Sequence, residues 1–97
     1  MTSNTAKRLV GPVVTAGEFA DAVLESMRED NPDKEFIVEQ NAAYMRIKVE
    51  GECILRMATL ERSLGRQVRT GDLEMNMPSF AGFIQMAPDH VRFFSTT

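Results

Sequence analysis

The chain has 97 residues, 43% of them hydrophobic and 26% charged, with 11 basic and 14 acidic side chains and a net charge of −3. That size and balance fit one soluble globular domain and argue against nucleic-acid binding, which needs a basic face. A single cysteine (Cys53) and a single histidine (His90) exclude an internal disulfide, a zinc site of convergent Cys and His ligands and a four-thiolate iron–sulfur cluster, and they point to a reducing, cytoplasmic setting.

Residues 1–8 are polar and aperiodic and read as a flexible N-terminal tail ahead of one domain over residues 9–97. The start has no apolar run behind its charges, so it is not a secretory signal, and no run of ~18 apolar residues offers a membrane span. Leu9 to Val14 reads as a first strand, with Gly11-Pro12 marking a kink or an edge position. Thr15 and Glu18 have the spacing of a capping box. Phe19, Ala20, Val23, Leu24 and Met27 then fall on one helical face, opposite Glu18, Asp21, Glu25 and Arg28. Asn31-Pro32 stops that helix, because the residue before proline is biased out of the helical region.

Glu35 to Gln40 reads as a short strand. The next is the clearest in the chain: Ala43, Met45, Ile47 and Val49 alternate with Tyr44, Arg46, Lys48 and Glu50. Strict alternation predicts one face on the core and one in water. Glu50-Gly51-Glu52 is short enough for a hairpin that returns Cys53 to Met57 antiparallel. Thr59 is expected to cap a two-turn helix through Leu60 and Leu64, and Gly65 to end it in the left-handed conformation. Thr70-Gly71-Asp72 reads as a turn or a single helical turn, and Leu73, Met75 and Met77 as a strand. After Pro78-Ser79, extended structure resumes over residues 80–86. Ala87-Pro88-Asp89 turns the chain into a last strand, His90 to Phe94. The predicted order is β-α-β-β-β-α-β-β-β, an α+β domain of mostly antiparallel sheets with two main helices, open to a division into two small sheets around one core.

Reactive groups are scarce. Cys53 lies among core-like strand residues and reads as a small hydrophobe, and His90 as a solvated turn residue. A carboxylate-bridged diiron site needs two Glu-x-x-His pairs, which one histidine cannot supply. The glycine-rich nucleotide motifs are absent. No catalytic, cofactor-binding or metal-binding residue is assigned, and a binding or regulatory module is the favoured class. The seven methionines read mostly as core, although methionine also suits adaptable binding surfaces.

Several strings, in order, carry a family resemblance. They are Val10-Gly11-Pro12, Asp30-Asn31-Pro32, Val38-Glu39, Tyr44-Met45-Arg46-Ile47, Thr59-Leu60-Glu61 running on to Leu64-Gly65-Arg66, and Leu73-Glu74-Met75-Asn76-Met77 leading into Ser79-Phe80-Ala81-Gly82. Over roughly residues 10–95 the chain resembles the effector, or coupling, proteins of bacterial soluble diiron multicomponent monooxygenases, closest to the toluene and alkene branch. The resemblance implies a cofactor-free, non-catalytic α/β protein that docks on the diiron hydroxylase component. Docking there tunes rate, substrate access and regiochemistry, and couples NADH use to oxygen insertion. Ferredoxin or reductase components are implied as competitors for the same face; no nucleic acid and no membrane is.

In the methane-oxidising branch, a segment with Asn, small hydroxyl residues and Gly faces the hydroxylase. Asn76, Ser79 and Gly82 keep that pattern here, whereas Pro78 and Phe80 depart from it, so Phe80 becomes a candidate apolar anchor. Asn31 is a further candidate contact. The residues leave other readings open: Gly82 as a bulge, Phe80 as core, and Asn31-Pro32 as a plain helix stop. A small-ligand-sensing regulatory domain and a small enzyme built on His90 and a carboxylate are the alternative functions.

Overall fold

The computed structural model describes residues 8–96; the expected tail over residues 1–8 lies outside these except for Arg8. The described residues form β1 (Leu9–Thr15), α1 (Glu18–Asp30), β2 (Ile37–Gln40), β3 (Tyr44–Glu50), β4 (Glu52–Arg56), α2 (Met57–Leu64), α3 (Thr70–Asn76), β5 (Ser79–Ala81), β6 (Phe83–Met86) and β7 (His90–Phe94). They build two antiparallel sheets, one ordered β2-β3-β1-β5 and the other β4-β7-β6. The α+β class and the antiparallel pairing are as the sequence predicts, and so is the order of elements outside residues 70–86, where the predicted strand at 73–77 is helix α3 and the predicted run at 80–86 is two strands. No helix among the described residues is long and apolar enough to cross a membrane.

One core serves both sheets. Val10 and Val14 of β1, Met45, Ile47 and Val49 of β3, Cys53 and Leu55 of β4 and Val91 and Phe93 of β7 are all buried in it. Helix α1 closes it from one side with Ala20, Val23 and Met27, with Phe19 and Leu24 at the margin. This is the face its periodicity predicts. Burying a Val or Met side chain stabilises by about 1.5–3 kcal/mol, so the amphipathic stripe outweighs the weak N-terminal cap.

That cap is not the expected box. Thr15 ends β1 opposite Tyr44, two residues before the N-cap of α1. Gly17 is the N-cap, without a side-chain bond, and Glu18 and Asp21 meet the positive end of the helix dipole instead. Thr59 also departs from its predicted role. The cap of α2 is Arg56, three residues earlier, so that the helix starts at Met57, and the Thr59 hydroxyl donates to Asp30 Oδ1 at 2.7 Å. Gly65 ends α2 in the left-handed conformation, as predicted.

The expected β3–β4 hairpin does not form. Strand β3 lies between β2 and β1, so neither of its edges is free for β4. Gly51 instead carries the chain from one sheet to the other. Its N–H donates to Arg8 O at 2.8 Å and its C=O accepts from Ser95 N at 3.0 Å. Likewise, β1 is an interior strand rather than an edge, and its pairing with β3 keeps one register on both sides of Gly11-Pro12. Gly11 there has φ 143°, and a Cβ would lie 2.1 Å from Ile47 O, so the disturbance is local and needs glycine.

The predicted strand at 73–77 is helix α3. Asp72 Oδ2 accepts from Arg69 N at 2.9 Å, and Asn76 Nδ2 donates to Asp72 O at 2.8 Å. Only Leu73 of α3 is buried. Met75 and Met77 imitate strand alternation without sharing a buried face.

The end of α1 holds the second sheet in place. Asn31 Nδ2 donates to Met27 O and to Ile54 O, both at 2.7 Å, and Asn31 Oδ1 accepts from Ile54 N at 2.9 Å. Asp30 Oδ2 accepts from Arg56 N at 2.8 Å. The two side chains thus satisfy the outer edge of β4 and the start of α2. We expect Asn31→Ala to destabilise the domain by about 2 kcal/mol, because it leaves the half-buried Ile54 amide and carbonyl without partners. Urea unfolding checks this; a loss below about 0.5 kcal/mol, the scale of an ordinary surface change, would remove the clasp from the account.

Candidate functional site

The two residues with intrinsic reactivity lie on opposite faces of the second sheet. Cys53 pairs with Phe93 and is buried in the core, whereas His90 pairs with Arg56 three positions along. Burial pushes the Cys53 thiol up to about 12, so the thiolate is almost unpopulated at neutral pH. His90 Nδ1 lies 2.8 Å from Asp89 Oδ1 in the β6–β7 turn. That bond holds the Asp89 carboxyl below its ordinary value, and Asp89 itself is exposed. Among the described residues no cluster of three His, Cys, Asp or Glu side chains is placed to hold a metal.

The segment from Asn76 to Gly82 links α3 to both sheets. Asn76 ends α3, half-buried, with its amide donating back to Asp72 O. Ser79 is exposed and sits opposite Val13. Phe80 sits opposite Pro12 and is 40% exposed, with its ring centroid 6.2 Å from that of Phe93. It is therefore anchored at the rim of the core and open to solvent on its other side.

Gly82 breaks the predicted 80–86 run into β5 in one sheet and β6 in the other. Its φ is 89°, and a Cβ would lie 2.6 Å from Val10 Cγ1 and 2.8 Å from Phe94 O. Glycine is thus required both by conformation and by close approach. Asn31 is placed elsewhere in the fold, with its amide engaged by Met27 and Ile54.

Around this segment the surface is unusually apolar. Five large hydrophobic side chains among the described residues are exposed, and four of them, Met75, Phe80, Phe83 and Met86, lie between residues 75 and 86. Phe83 is 55% exposed and stacks on Phe94 across the β6–β7 pair at 5.8 Å. The Arg92 guanidinium sits 4.2 Å from the Phe94 ring centroid, within cation–π range. Glu52 Oε2 accepts from Arg92 Nε at 2.5 Å, and this bond lowers the Glu52 carboxyl.

Sequence reasoning missed this platform, because its members come from three strands. The available signal was parity: Phe83, Phe94 and Glu52 share one row of the sheet, and Gln85 and Arg92 the next. Such an arrangement offers shape, an aromatic surface and fixed charge. It offers no activated nucleophile.

Comparisons with known proteins agree on one group. The model of the MmoB/DmpM family matches residues 8–94. The effector subunit of the alkene monooxygenase system of Xanthobacter autotrophicus (strain ATCC BAA-1158 / Py2) is 38% identical over 88 residues, covering 91% of this chain and 87% of that one. Two chains from structures of the phenol hydroxylase–regulatory protein complex superpose with TM-scores of 0.74 and 0.71. Each is 29% identical over 89% of this chain and covers 97% and 98% of its own length. The soluble methane monooxygenase regulatory protein B shares the fold, with a TM-score of 0.69 at 19% identity, over 98% of this chain and 70% of that one.

Two measurements probe the geometry of the site. Gly82→Ala is expected to cost about 2 kcal/mol or more, from left-handed strain together with the clash against Val10. A midpoint of thermal unfolding equal to that of the unchanged chain would contradict the close approach. Cys53 is expected to react with a thiol reagent only as fast as the core opens, so labelling should accelerate with urea in step with unfolding. Rapid labelling of the native chain would contradict its burial.

Proposed function

The chain belongs to the MmoB/DmpM family, and from that premise we propose that it is the non-catalytic effector of an alkene- or phenol-type monooxygenase. In this reading it binds the diiron hydroxylase component and tunes its rate, its regiospecificity and the coupling of NADH oxidation to oxygen insertion. The kinship with an alkene monooxygenase effector subunit and the likeness to chains from a hydroxylase–regulatory protein complex support it. The observation that carries it to a surface is the concentration of exposed Met75, Phe80, Phe83 and Met86 within 12 residues of sequence, 75 to 86. Large apolar side chains left exposed around one segment are a feature of interaction sites.

The docking surface centres on Phe80, with Ser79 beside it and Gly82 setting the turn between the sheets. Asn76 fixes the start of the segment through its bond to Asp72. The amide of Asn31 is engaged inside the fold, so its part in docking runs through the position it gives β4. Ferredoxin and reductase components compete for the same hydroxylase face. An effector of this kind needs no reactive group. It shifts the hydroxylase between states by binding one more tightly than the other, and each 1.4 kcal/mol of that difference changes the ratio about tenfold.

Adding the purified chain to hydroxylase, electron carrier and reductase should raise product formed per NADH consumed. No change in rate, coupling or product distribution would sink the proposal. Phe80→Ala should weaken hydroxylase binding by roughly tenfold or more, as loss of a rim-anchored aromatic does at an interface hot spot. Its melting point should fall by less than the affinity loss implies. A collapsed melting point with normal affinity of the remaining folded protein would assign Phe80 to the core alone.

A further inference from the structure

Among the described residues the sulfur atoms are sorted by exposure. Met27, Met45 and Met57 are buried, Met77 packs half-buried against the core, and the Cys53 thiol is buried. Met75 is 85% exposed and Met86 is 37% exposed. Both open thioethers border α3: Met75 projects from it, and Met86 lines a cleft with Arg69 and Thr70 at its start. Met75 also directly precedes the Asn76–Gly82 segment. Helix α3 itself is held by one buried side chain, Leu73.

We propose that Met75, with Met86 beside the same helix, is a peroxide-sensitive modification site that weakens docking when oxidised. This rests on the effector reading above. When a monooxygenase reduces oxygen by two electrons without transferring an oxygen atom, hydrogen peroxide is the product, so uncoupled turnover supplies the oxidant. In the modification, the thioether sulfur donates an electron pair to one peroxide oxygen and the O–O bond breaks. The sulfur becomes a sulfoxide, oxidised by two electrons, and the other oxygen leaves as water with both protons. The change turns a flexible apolar side chain into a polar one and is reversible by thiol-dependent reduction. An apolar docking surface thereby loses affinity in response to uncoupled turnover.

The selectivity follows from access. The thioether needs no deprotonation to react, whereas the Cys53 thiol is both shielded from solvent and held in its unreactive protonated form. The exposed methionines are therefore the first sulfur atoms that peroxide meets among the described residues.

The test treats the full chain with graded hydrogen peroxide and maps added oxygen by peptide mass spectrometry. Met75 should be oxidised at least about tenfold faster than Met27, Met45 and Met57, with Met86 next, at an unchanged melting point. The oxidised chain should bind hydroxylase roughly tenfold more weakly and lose stimulation accordingly. Incubation with a methionine sulfoxide reductase and a thiol should restore both. Met75→Leu keeps the apolar volume and removes the sulfur, so the stimulation it gives should be far less sensitive to peroxide. Oxidation of the buried methionines at the same rate overturns the site. Undiminished binding by the oxidised chain, or equal peroxide sensitivity of Met75→Leu, overturns its regulatory role. A chain that fails to stimulate before any peroxide is added overturns the effector reading and this regulation with it.

Discussion

The fold depends on how one strand is kept from pairing. Leaving β3, β4 needs partners for both of its edges, and only one is supplied by β7. The other is met by the Asn31 amide, which returns a donor and an acceptor to Ile54, and by the Asp30 carboxylate, which takes the Arg56 N–H. An unpaired edge inside a protein is costly and an exposed one invites aggregation. Two side chains at the end of a helix remove both liabilities. They also fix where α2 begins, because Asp30 binds Thr59 as well. With β4 held there, β7 and β6 follow by pairing, and the second sheet closes over the same core as the first.

That dependence explains which parts of the fold were legible in the sequence. Alternation in β3, the stripe of α1, the stop at Asn31-Pro32 and the left-handed Gly65 are local, and each appears where the pattern places it. The division into two sheets is non-local. Nothing in the spacing around Gly51 distinguishes a hairpin from a crossing between sheets; the difference lies in β1 and β2 already occupying both edges of β3. Helix α3 was readable only at its start, where Thr70-Gly71-Asp72 allowed a single helical turn, and its extent was hidden for a different reason. With only Leu73 buried, its burial has no period to detect, and a chance alternation of Leu and Met suggests a strand.

The candidate site was legible in the same partial way. Gly82 keeps a family pattern and Phe80 departs from it, and the structure gives each a physical reason to be there. Phe80 lies between the two readings the sequence left open, since its ring packs near Phe93 and is still partly exposed to solvent. The Phe83–Phe94–Arg92 stack could not be read, because cross-strand neighbours become visible only once the register is known. Asn31 was noticed as a possible contact, and its hydrogen bonds now give it a structural role at a distance from Gly82 in sequence.

The junction at Gly82 ties surface to core. Phe80 precedes it on the first sheet and Phe83 follows it on the second, while the glycine itself lies against Val10 and Phe94. The spacing between the two exposed rings is therefore set by how the sheets pack on each other, not by the segment alone. A larger residue at Gly82 has to push apart Val10 and Phe94, which moves both rings at once. In the reverse direction, force applied to the rings by a partner passes into the seam between the sheets. Packed interiors resist such displacement because each lost contact along the seam adds to the cost. The docking surface proposed above, built across that seam, would thus present a fixed shape to the hydroxylase. Rigidity of this kind is what a protein without reactive groups needs if binding is to select one state of a partner, since a surface that adapted to both states would bind both and shift neither.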